Sequence, residues 1–264
     1  GSANLTTNNS TFTVGSSTGS ENNGIRIENA AAVKDTGSTF TINGSHSNGV
    51  YTSSSLSGTL DLDGTRMTVN GTNNNGVILQ GTGTYNILGI NRRGSYTVEN
   101  GTNNGVFVTH GTTLAKIDKT DFTVKGNGIG LLIGDEDGKG TVTTIENSTF
   151  NVDGTNGITN STSNPRERKG TGIYVYHGNV TVGKDTSISG NGDDVLMTIN
   201  THDTTTSPAT INNEIKFTKS GSKVKLSATG DNNIAINLQN GVTSDQSITT
   251  ITGDNVDITF NSGN

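Results

Sequence analysis

The chain contains no cysteine and no tryptophan, and it is poor in the residues that build an ordinary globular core. Its 264 residues include 2 prolines, 28% hydrophobic residues and 5% aromatic residues. Helical and mixed α/β domains carry about half apolar residues, so this composition argues against both classes. The absence of cysteine excludes disulfide bonds and cysteine-based zinc or iron–sulfur sites.

The chain also lacks an excess of positive charge and any long apolar segment. Its 17 Lys and Arg residues stand against 23 Asp and Glu residues, which gives a formal net charge of −6 at pH 7. Nucleic acids and anionic membranes attract basic surfaces, so we expect neither as a partner. No apolar run is long enough for a membrane span or a signal peptide. We therefore expect no direct membrane insertion, and we interpret the chain as a fragment of a longer exported protein.

Glycine is abundant, with 37 residues, and short apolar segments recur at a long, nearly constant interval. The segments STFTV, STFTI, TRMTV, SYTV, DFTV and STFNV carry Phe12, Phe40, Met67, Tyr96, Phe122 and Phe150, which are 28, 27, 29, 26 and 28 residues apart. Each segment is followed by a Gly/Asn turn, a second strand such as GVILQ, and a third such as GTLDLDG. This repeat predicts an all-β fold over residues 1–264, a single parallel β-helix with three short strands per coil and about eight or nine coils.

Charged residues fix which side of each strand faces inward, because successive side chains point to opposite faces. In the first strand of the repeat, Arg66 and Asp121 must face solvent, so the neighbouring aromatic, Met and Val residues face inward as a ladder. In the second strand Arg26 and Asn237 must face outward. The predicted inward residues of the second strand are Ile25, Ile27, Val77, Leu79, Val106, Val108, Ile234, Ile236 and Leu238.

An Asn-Gly pair precedes or opens most of the second strands. The asparagines are Asn23, Asn48, Asn75, Asn104, Asn127 and Asn156. Glycine tolerates the positive φ of tight corners, and asparagine is common in ordinary turns. Six such pairs at one place in the repeat favour a column of amides that hydrogen-bond from coil to coil.

The STFTV, NNG and GVxL units resemble the right-handed β-helix, or pectate-lyase-like, fold, and in particular the binding regions of bacterial surface adhesins. Both autotransporter passengers and Gram-positive wall-anchored adhesins contain such regions. The resemblance covers most of the chain. It implies an extracellular position on the bacterial cell surface and a role in attachment, but it assigns no binding residue, since these families share a scaffold rather than a site motif.

Candidate catalytic and metal-binding groups are sparse. The outward side of the first strand carries mainly hydroxyl groups where a polysaccharide lyase would need carboxylates, so we predict no catalytic residue and no enzyme activity. The polygalacturonase-like fragments HG at 177–178 and GDD at 192–194 occur in the reverse of that family's order. The acidic run at 135–137 lacks the spacing of a calcium loop, so we expect a solvated turn, no metal and no cofactor.

The outward side of the second strand carries large apolar and aromatic side chains instead of Thr, Ser or Lys. In successive coils these residues are Arg26, Tyr51, Ile78, Phe107, Leu132 and Tyr174, and Leu196 extends the series. We name this series the stripe. Exposed apolar stripes mark interaction surfaces, although a loop folded over the stripe would bury it instead. Aromatic rings suit the C–H faces of sugars, and Arg26 could select polar or acidic groups.

An insertion at 159–171 interrupts the repeat and carries a basic run with Arg166 and Arg168. These side chains could pair with carboxylate or sulfate groups of acidic glycans, or they could simply be solvated. The leading interpretation is a non-enzymatic bacterial adhesin domain that binds a host or environmental glycan or glycoprotein along its side. The alternative is association with another copy of itself, which would mediate aggregation or biofilm formation. A polysaccharide lyase or hydrolase ranks third.

Overall fold

A computed structural model of the chain describes residues 3–16, 20–99, 101–135, 138–154, 170–192, 194–200, 212–218, 223–230, 233–239, 248–254 and 256–261. The strands, in chain order, are β1 (Asn4–Asn8), β2 (Thr11–Val14), β3 (Asn23–Ile27), β4 (Ala32–Thr36), β5 (Thr39–Ile42), β6 (Asn48–Thr52), β7 (Thr59–Asp63), β8 (Arg66–Val69), β9 (Asn75–Leu79), β10 (Thr84–Leu88), β11 (Gly94–Val98), β12 (Asn104–Val108), β13 (Thr112–Asp118), β14 (Thr120–Lys125), β15 (Ile129–Ile133), β16 (Gly140–Glu146), β17 (Thr149–Asp153), β18 (Thr171–Val175), β19 (Gly178–Val182), β20 (Ser187–Gly190), β21 (Val195–Asn200), β22 (Asn212–Phe217), β23 (Val224–Thr229), β24 (Ile234–Gln239), β25 (Ile248–Gly253) and β26 (Val256–Asn261).

Every third strand joins the same sheet, so the chain winds through three parallel sheets. The first sheet contains every third strand from β2 to β26, which makes nine strands. The second contains every third strand from β3 to β24, which makes eight, and the third contains every third strand from β1 to β25, which makes nine. This right-handed parallel β-helix confirms the predicted fold class, three strands per coil and the number of coils. Within the described residues no helix occurs that is long and apolar enough to cross a membrane.

The aromatic ladder of the first sheet lies inside, as its alternation predicts. Phe40, Met67, Tyr96, Phe122 and Phe150 are fully buried and stand in register in consecutive coils. The ring centroids of Phe122 and Phe150 are 4.5 Å apart with nearly parallel planes, and those of Tyr96 and Phe122 are 5.1 Å apart. The ladder therefore combines apolar burial with offset stacking along the axis.

Two residues predicted to be inside are largely exposed, namely Ile234 at 38% and Leu238 at 62%. Both lie on β24, the last strand of the second sheet. Ile234 is also in register with Val195 rather than with an inward residue. The prediction was wrong for Ile234 because its position faces outward. Leu238 is in register with the buried Ile199 but lies on a strand that pairs on one side only among the described strands.

The glycines of the first four Asn-Gly pairs face the core at a bend in the second sheet. A Cβ atom on Gly105 would lie 2.6 Å from the carbonyl oxygen of Gly130 and 3.3 Å from Cδ1 of Phe122. Such a distance to a backbone oxygen is too short for any side chain, so only glycine fits. Because Gly105 and Val106 both face inward, the preceding Asn104 lies on the outer side of the sheet, buried beside the stripe.

Candidate functional site

The structure aligns the stripe along the outer face of the second sheet. Arg26, Tyr51, Ile78, Phe107, Leu132 and Tyr174 occupy one register position in six consecutive coils. The predicted alignment of these residues is therefore confirmed. Their role in binding stays a prediction.

Leu196 does not extend the stripe, which corrects that part of the prediction. The register partner of Tyr174 is Thr198, and Leu196 lies fully buried in the core. The partners of Thr171 and Ile173 are Val195 and Met197, so Leu196 occupies the inward position that glycine fills in other coils. The sequence alone does not show whether Leu196 or Thr198, two positions later, lies at the outward position of the stripe.

The stripe divides into an accessible half and a covered half. Arg26 is exposed, and Tyr51, Ile78 and Phe107 are half-buried. Tyr174, predicted to expose its ring, is buried and 5% exposed, with its ring 6.3 Å from that of Tyr176 in an edge-to-face arrangement. These two tyrosines form an outer apolar cluster with Ile129 and Leu132, against which Phe107 packs. The prediction of an exposed Tyr174 was wrong, because its ring packs in this outer cluster together with Leu132 and Tyr176.

At the N-terminal end of the stripe, the guanidinium group of Arg26 packs on the ring of Tyr51. The guanidinium carbon of Arg26 lies 5.2 Å from the ring centroid of Tyr51. Arg26 Nε donates to Glu28 Oε1 at 2.7 Å, and this bond raises the pKa of Arg26 above its usual value. The Tyr51 hydroxyl donates to Gln80 Oε1 at 3.4 Å. The positive charge of Arg26 is thus paired with the carboxylate of Glu28, and its guanidinium group packs on the Tyr51 ring.

A column of side-chain amides runs beside the stripe, as predicted for the first four asparagines. Nδ2 of Asn48 donates to Asn23 Oδ1 at 2.9 Å, Asn75 to Asn48 at 2.9 Å, and Asn104 to Asn75 at 2.8 Å. The column stops at Asn104, because its register partner in the next coil is Ile129. Oδ1 of Asn104 is consequently a buried acceptor with no partner in the described part of the chain.

Asn127, predicted to continue this column, does not. Its Oδ1 accepts a hydrogen bond from the backbone N–H of Gly101 at 3.0 Å. Only three residues separate β14 from β15, compared with five between β11 and β12, so the shorter turn moves the amide out of register. Asn156 lies outside the described residues.

A second amide column, which the sequence analysis missed, supports the same turns from inside. Oδ1 of Asn74 accepts from the N–H of Ser47 at 2.7 Å, and Oδ1 of Asn103 accepts from the N–H of Asn74 at 2.9 Å. Both amides are fully buried. The available signal was the asparagine that precedes each Asn-Gly pair in these two coils.

An open groove of about 390 Å³ lies where the accessible half of the stripe meets the end of the amide column. It is lined by Asn73, Asn75, Thr102, Asn104, Phe107, Leu132 and Asp135. Thr102 Oγ1 donates to Asn73 Oδ1 at the exposed rim. Asp135 Oδ1 accepts from Thr109 Oγ1 at 2.5 Å and from the N–H of Gly138 at 3.0 Å. The groove therefore places one aromatic ring beside neutral hydrogen-bonding groups and a fixed carboxylate.

Most of the predicted basic and acidic runs lie outside the described residues. Arg166 and Arg168 lie outside the described residues, as does the insertion except for Gly170 and Thr171, the second of which begins β18. Glu136 and Asp137 are also outside them. In the part of the chain that the structure describes, no group of three His, Cys, Asp or Glu side chains could hold a metal ion.

Asp194, from the GDD fragment, is a fully buried carboxylate that closes a turn. Its oxygens accept hydrogen bonds from the N–H groups of Asn191 at 2.6 Å, Gly192 at 3.1 Å and Gly154. Burial nevertheless raises the pKa of Asp194 to about 6, because the three donors only partly offset the loss of solvation. Its contacts are those of a structural residue.

No protein-family model, curated protein or solved structure matches this chain. The structure is a parallel β-solenoid with three sheets. Such a fold does not by itself define a function, which depends on the groove and the other surfaces of the molecule.

Proposed function

We propose that the protein is a non-enzymatic binding module of a bacterial surface adhesin and that it binds a host or environmental glycan along the outer side of the second sheet. The observation that carries this proposal is the groove in which the half-buried ring of Phe107 lies beside Asn73, Thr102 and Asn104. The adhesin assignment and the cell-surface location belong to the same proposal.

The groups in the groove suit a sugar better than a charged or purely apolar ligand. A pyranose has C–H faces that pack on an aromatic ring and hydroxyl groups that pair with amides and hydroxyls. The exposed Thr102–Asn73 pair offers both donors and acceptors at the rim. The carboxylate of Asp135 adds an acceptor for hydroxyl groups and disfavours anionic ligands.

The accessible half of the stripe is longer than one sugar. Tyr51 and Phe107 are two coils apart, with Ile78 between them, which corresponds to about 10 Å along the axis. One sugar ring cannot contact both aromatic rings. We therefore propose an oligosaccharide that runs parallel to the axis, with Phe107 as its main contact and Tyr51 as a second one.

A glycan array followed by calorimetric titration of the selected oligosaccharide tests this proposal. Phe107→Leu removes the ring but keeps apolar contact with the outer cluster, so the fold should survive while affinity falls about tenfold, or ~1.4 kcal/mol. Tyr51→Leu should weaken binding of the oligosaccharide but leave binding of its shortest fragment unchanged.

Thr41→Ala, on the outer face of the first sheet, is the matched control and should leave affinity unchanged. Two outcomes would contradict the proposal. One is an array without any bound glycan. The other is unaltered affinity in Phe107→Leu, which would move the site away from the groove.

A further inference from the structure

The amide column beside the stripe is a hydrogen-bonded chain with a direction. Each Nδ2 donates to the Oδ1 of the coil before it, from Asn48 to Asn23, from Asn75 to Asn48 and from Asn104 to Asn75. The oxygens of the first three amides therefore all accept a bond within the column. Hydrogen bonds in a chain polarise one another, so the column strengthens its last oxygen, Oδ1 of Asn104, as an acceptor.

This last oxygen has no donor among the described residues. Asn104 is 8% exposed, and its Oδ1 is buried without a hydrogen-bond partner. Because Nδ2 of Asn104 points to the preceding coil, Oδ1 faces the next one, where the register partner is the buried Ile129. A buried acceptor without a donor destabilises a protein. Asn104 lines the groove together with Phe107 and Leu132, so a ligand in the groove can supply the donor.

We propose that the groove selects glycans that carry an acetamido group, whose N–H donates to Oδ1 of Asn104. This inference rests on the glycan binding proposed above and names the class of sugar. A hydroxyl group also donates, but its lone pairs lose their water when they are buried beside Phe107 and Leu132. An amide N–H is a donor only, and the carbonyl of a trans amide points the opposite way, toward solvent. The acetamido methyl group adds apolar contact with the same two side chains.

The interaction requires a small movement of the protein. Oδ1 of Asn104 is closed to solvent without a ligand, so a side chain of the groove wall has to change rotamer before an N–H can reach it. Such changes are common when ligands and partners bind. Phe107 lies on β12 with Asn104 and is only half-buried. We therefore expect its ring to change rotamer when an acetamido sugar binds.

Calorimetric titration with pairs of ligands that differ in one substituent tests the proposal. Tetra-N-acetylchitotetraose and cellotetraose carry acetamido and hydroxyl groups on the same backbone, and the methyl glycosides of N-acetylgalactosamine and galactose form a second pair. We expect the acetamido member of at least one pair to bind about tenfold more tightly, or ~1.4 kcal/mol. The corresponding O-acetyl ester keeps the methyl and carbonyl groups but has no N–H, so it should lose this gain.

Two variants identify the acceptor. Asn104→Ala removes it and should make the two members of a pair bind about equally. Asn48→Ala is the matched control, because it breaks the same column at a residue that does not line the groove and should keep the acetamido preference. Asn104 makes one bond in the column and Asn48 makes two, so Asn104→Ala should melt at the higher temperature of the two variants.

Four results would overturn the proposal: no binding of either acetamido ligand, equal affinities within both pairs, an ester that binds as tightly as the amide, or a preference that survives in Asn104→Ala. The two ligand comparisons need no variant, so they stand even if Asn104→Ala does not fold. An array that selects only glycans without an acetamido group would refute this inference and leave glycan binding intact, whereas an array without any bound glycan would refute both.

Discussion

Replacement of Phe122 by alanine tests whether the aromatic ladder holds the solenoid together. Phe122 is fully buried and stacks on Tyr96 on one side and Phe150 on the other. Removing its ring leaves a cavity between two neighbouring coils. The walls of this cavity belong to continuous parallel sheets, which limits how far they can collapse into it.

The expected loss is large. Replacement of a core phenylalanine by alanine costs about 3–5 kcal/mol, and the loss of two ring stacks places Phe122 at the upper end of that range. We therefore expect Phe122→Ala to lower the free energy of unfolding by about 4–5 kcal/mol. Phe12, which is half-buried and stacks only on Phe40 at 4.4 Å, should cost about 1–2 kcal/mol when replaced by alanine.

Urea unfolding followed by far-ultraviolet circular dichroism measures both values. Because a solenoid is stabilised by contacts between adjacent coils, the Phe122→Ala transition should also broaden or split if the defect uncouples the two halves. Phe122→Leu, which keeps most of the volume, should recover more than half of the loss. A cost below about 1 kcal/mol for Phe122→Ala, or equal costs for the two alanine variants, would refute the reasoning.

Three further perturbations follow from the same structure. Asn75→Ala should lower the free energy of unfolding by about 2–3 kcal/mol in urea titrations, because Nδ2 of Asn104 loses its acceptor and Oδ1 of Asn48 loses its donor. Asn23→Ala, at the end of the column, should cost less than half of this. Tyr174→Ala should destabilise by about 2–4 kcal/mol and Tyr51→Ala by less than about 1 kcal/mol, and similar melting temperatures for the two would contradict the division of the stripe. The folded-state pKa of Asp194 is raised from 3.8 to about 6, so the folded state binds more protons than the unfolded state between these pH values. The stability of the wild type relative to Asp194→Asn should therefore fall as the pH rises from about 4 to about 6. A difference in melting temperature between the two proteins that stays constant with pH would show that the pKa is not raised.

The fold was predictable from the sequence because a solenoid repeats one set of physical demands in every coil. Arg66 and Asp121 cannot be buried, and this alone fixed the inward side of the first sheet. The prediction failed where the repeat changes. Leu196 replaces the glycine of the bend, and Asn127 sits in a shortened turn, so neither position carried a signal of its true orientation.

The candidate site was predictable only in part. The alignment of Tyr51 with Phe107 follows from strand register, which the repeat determines. The burial of Leu132 and Tyr174 does not, because it depends on what packs over the outer face rather than on alternation within the strand. The groove itself lies at the end of the amide column at Asn104, where Ile129 occupies the next position. No local pattern in the sequence indicates that a groove forms where the column ends.

The most direct test of the central claim is the change in backbone amide chemical shifts when the array-selected oligosaccharide is titrated into the isotopically labelled protein. We expect the shifts to change at Asn104, Phe107 and Leu132, and more weakly at Tyr51, while the shift of Thr123 on the first sheet is unaffected. Changes confined to the first sheet, or to the C-terminal end around Phe260, would contradict recognition along the stripe.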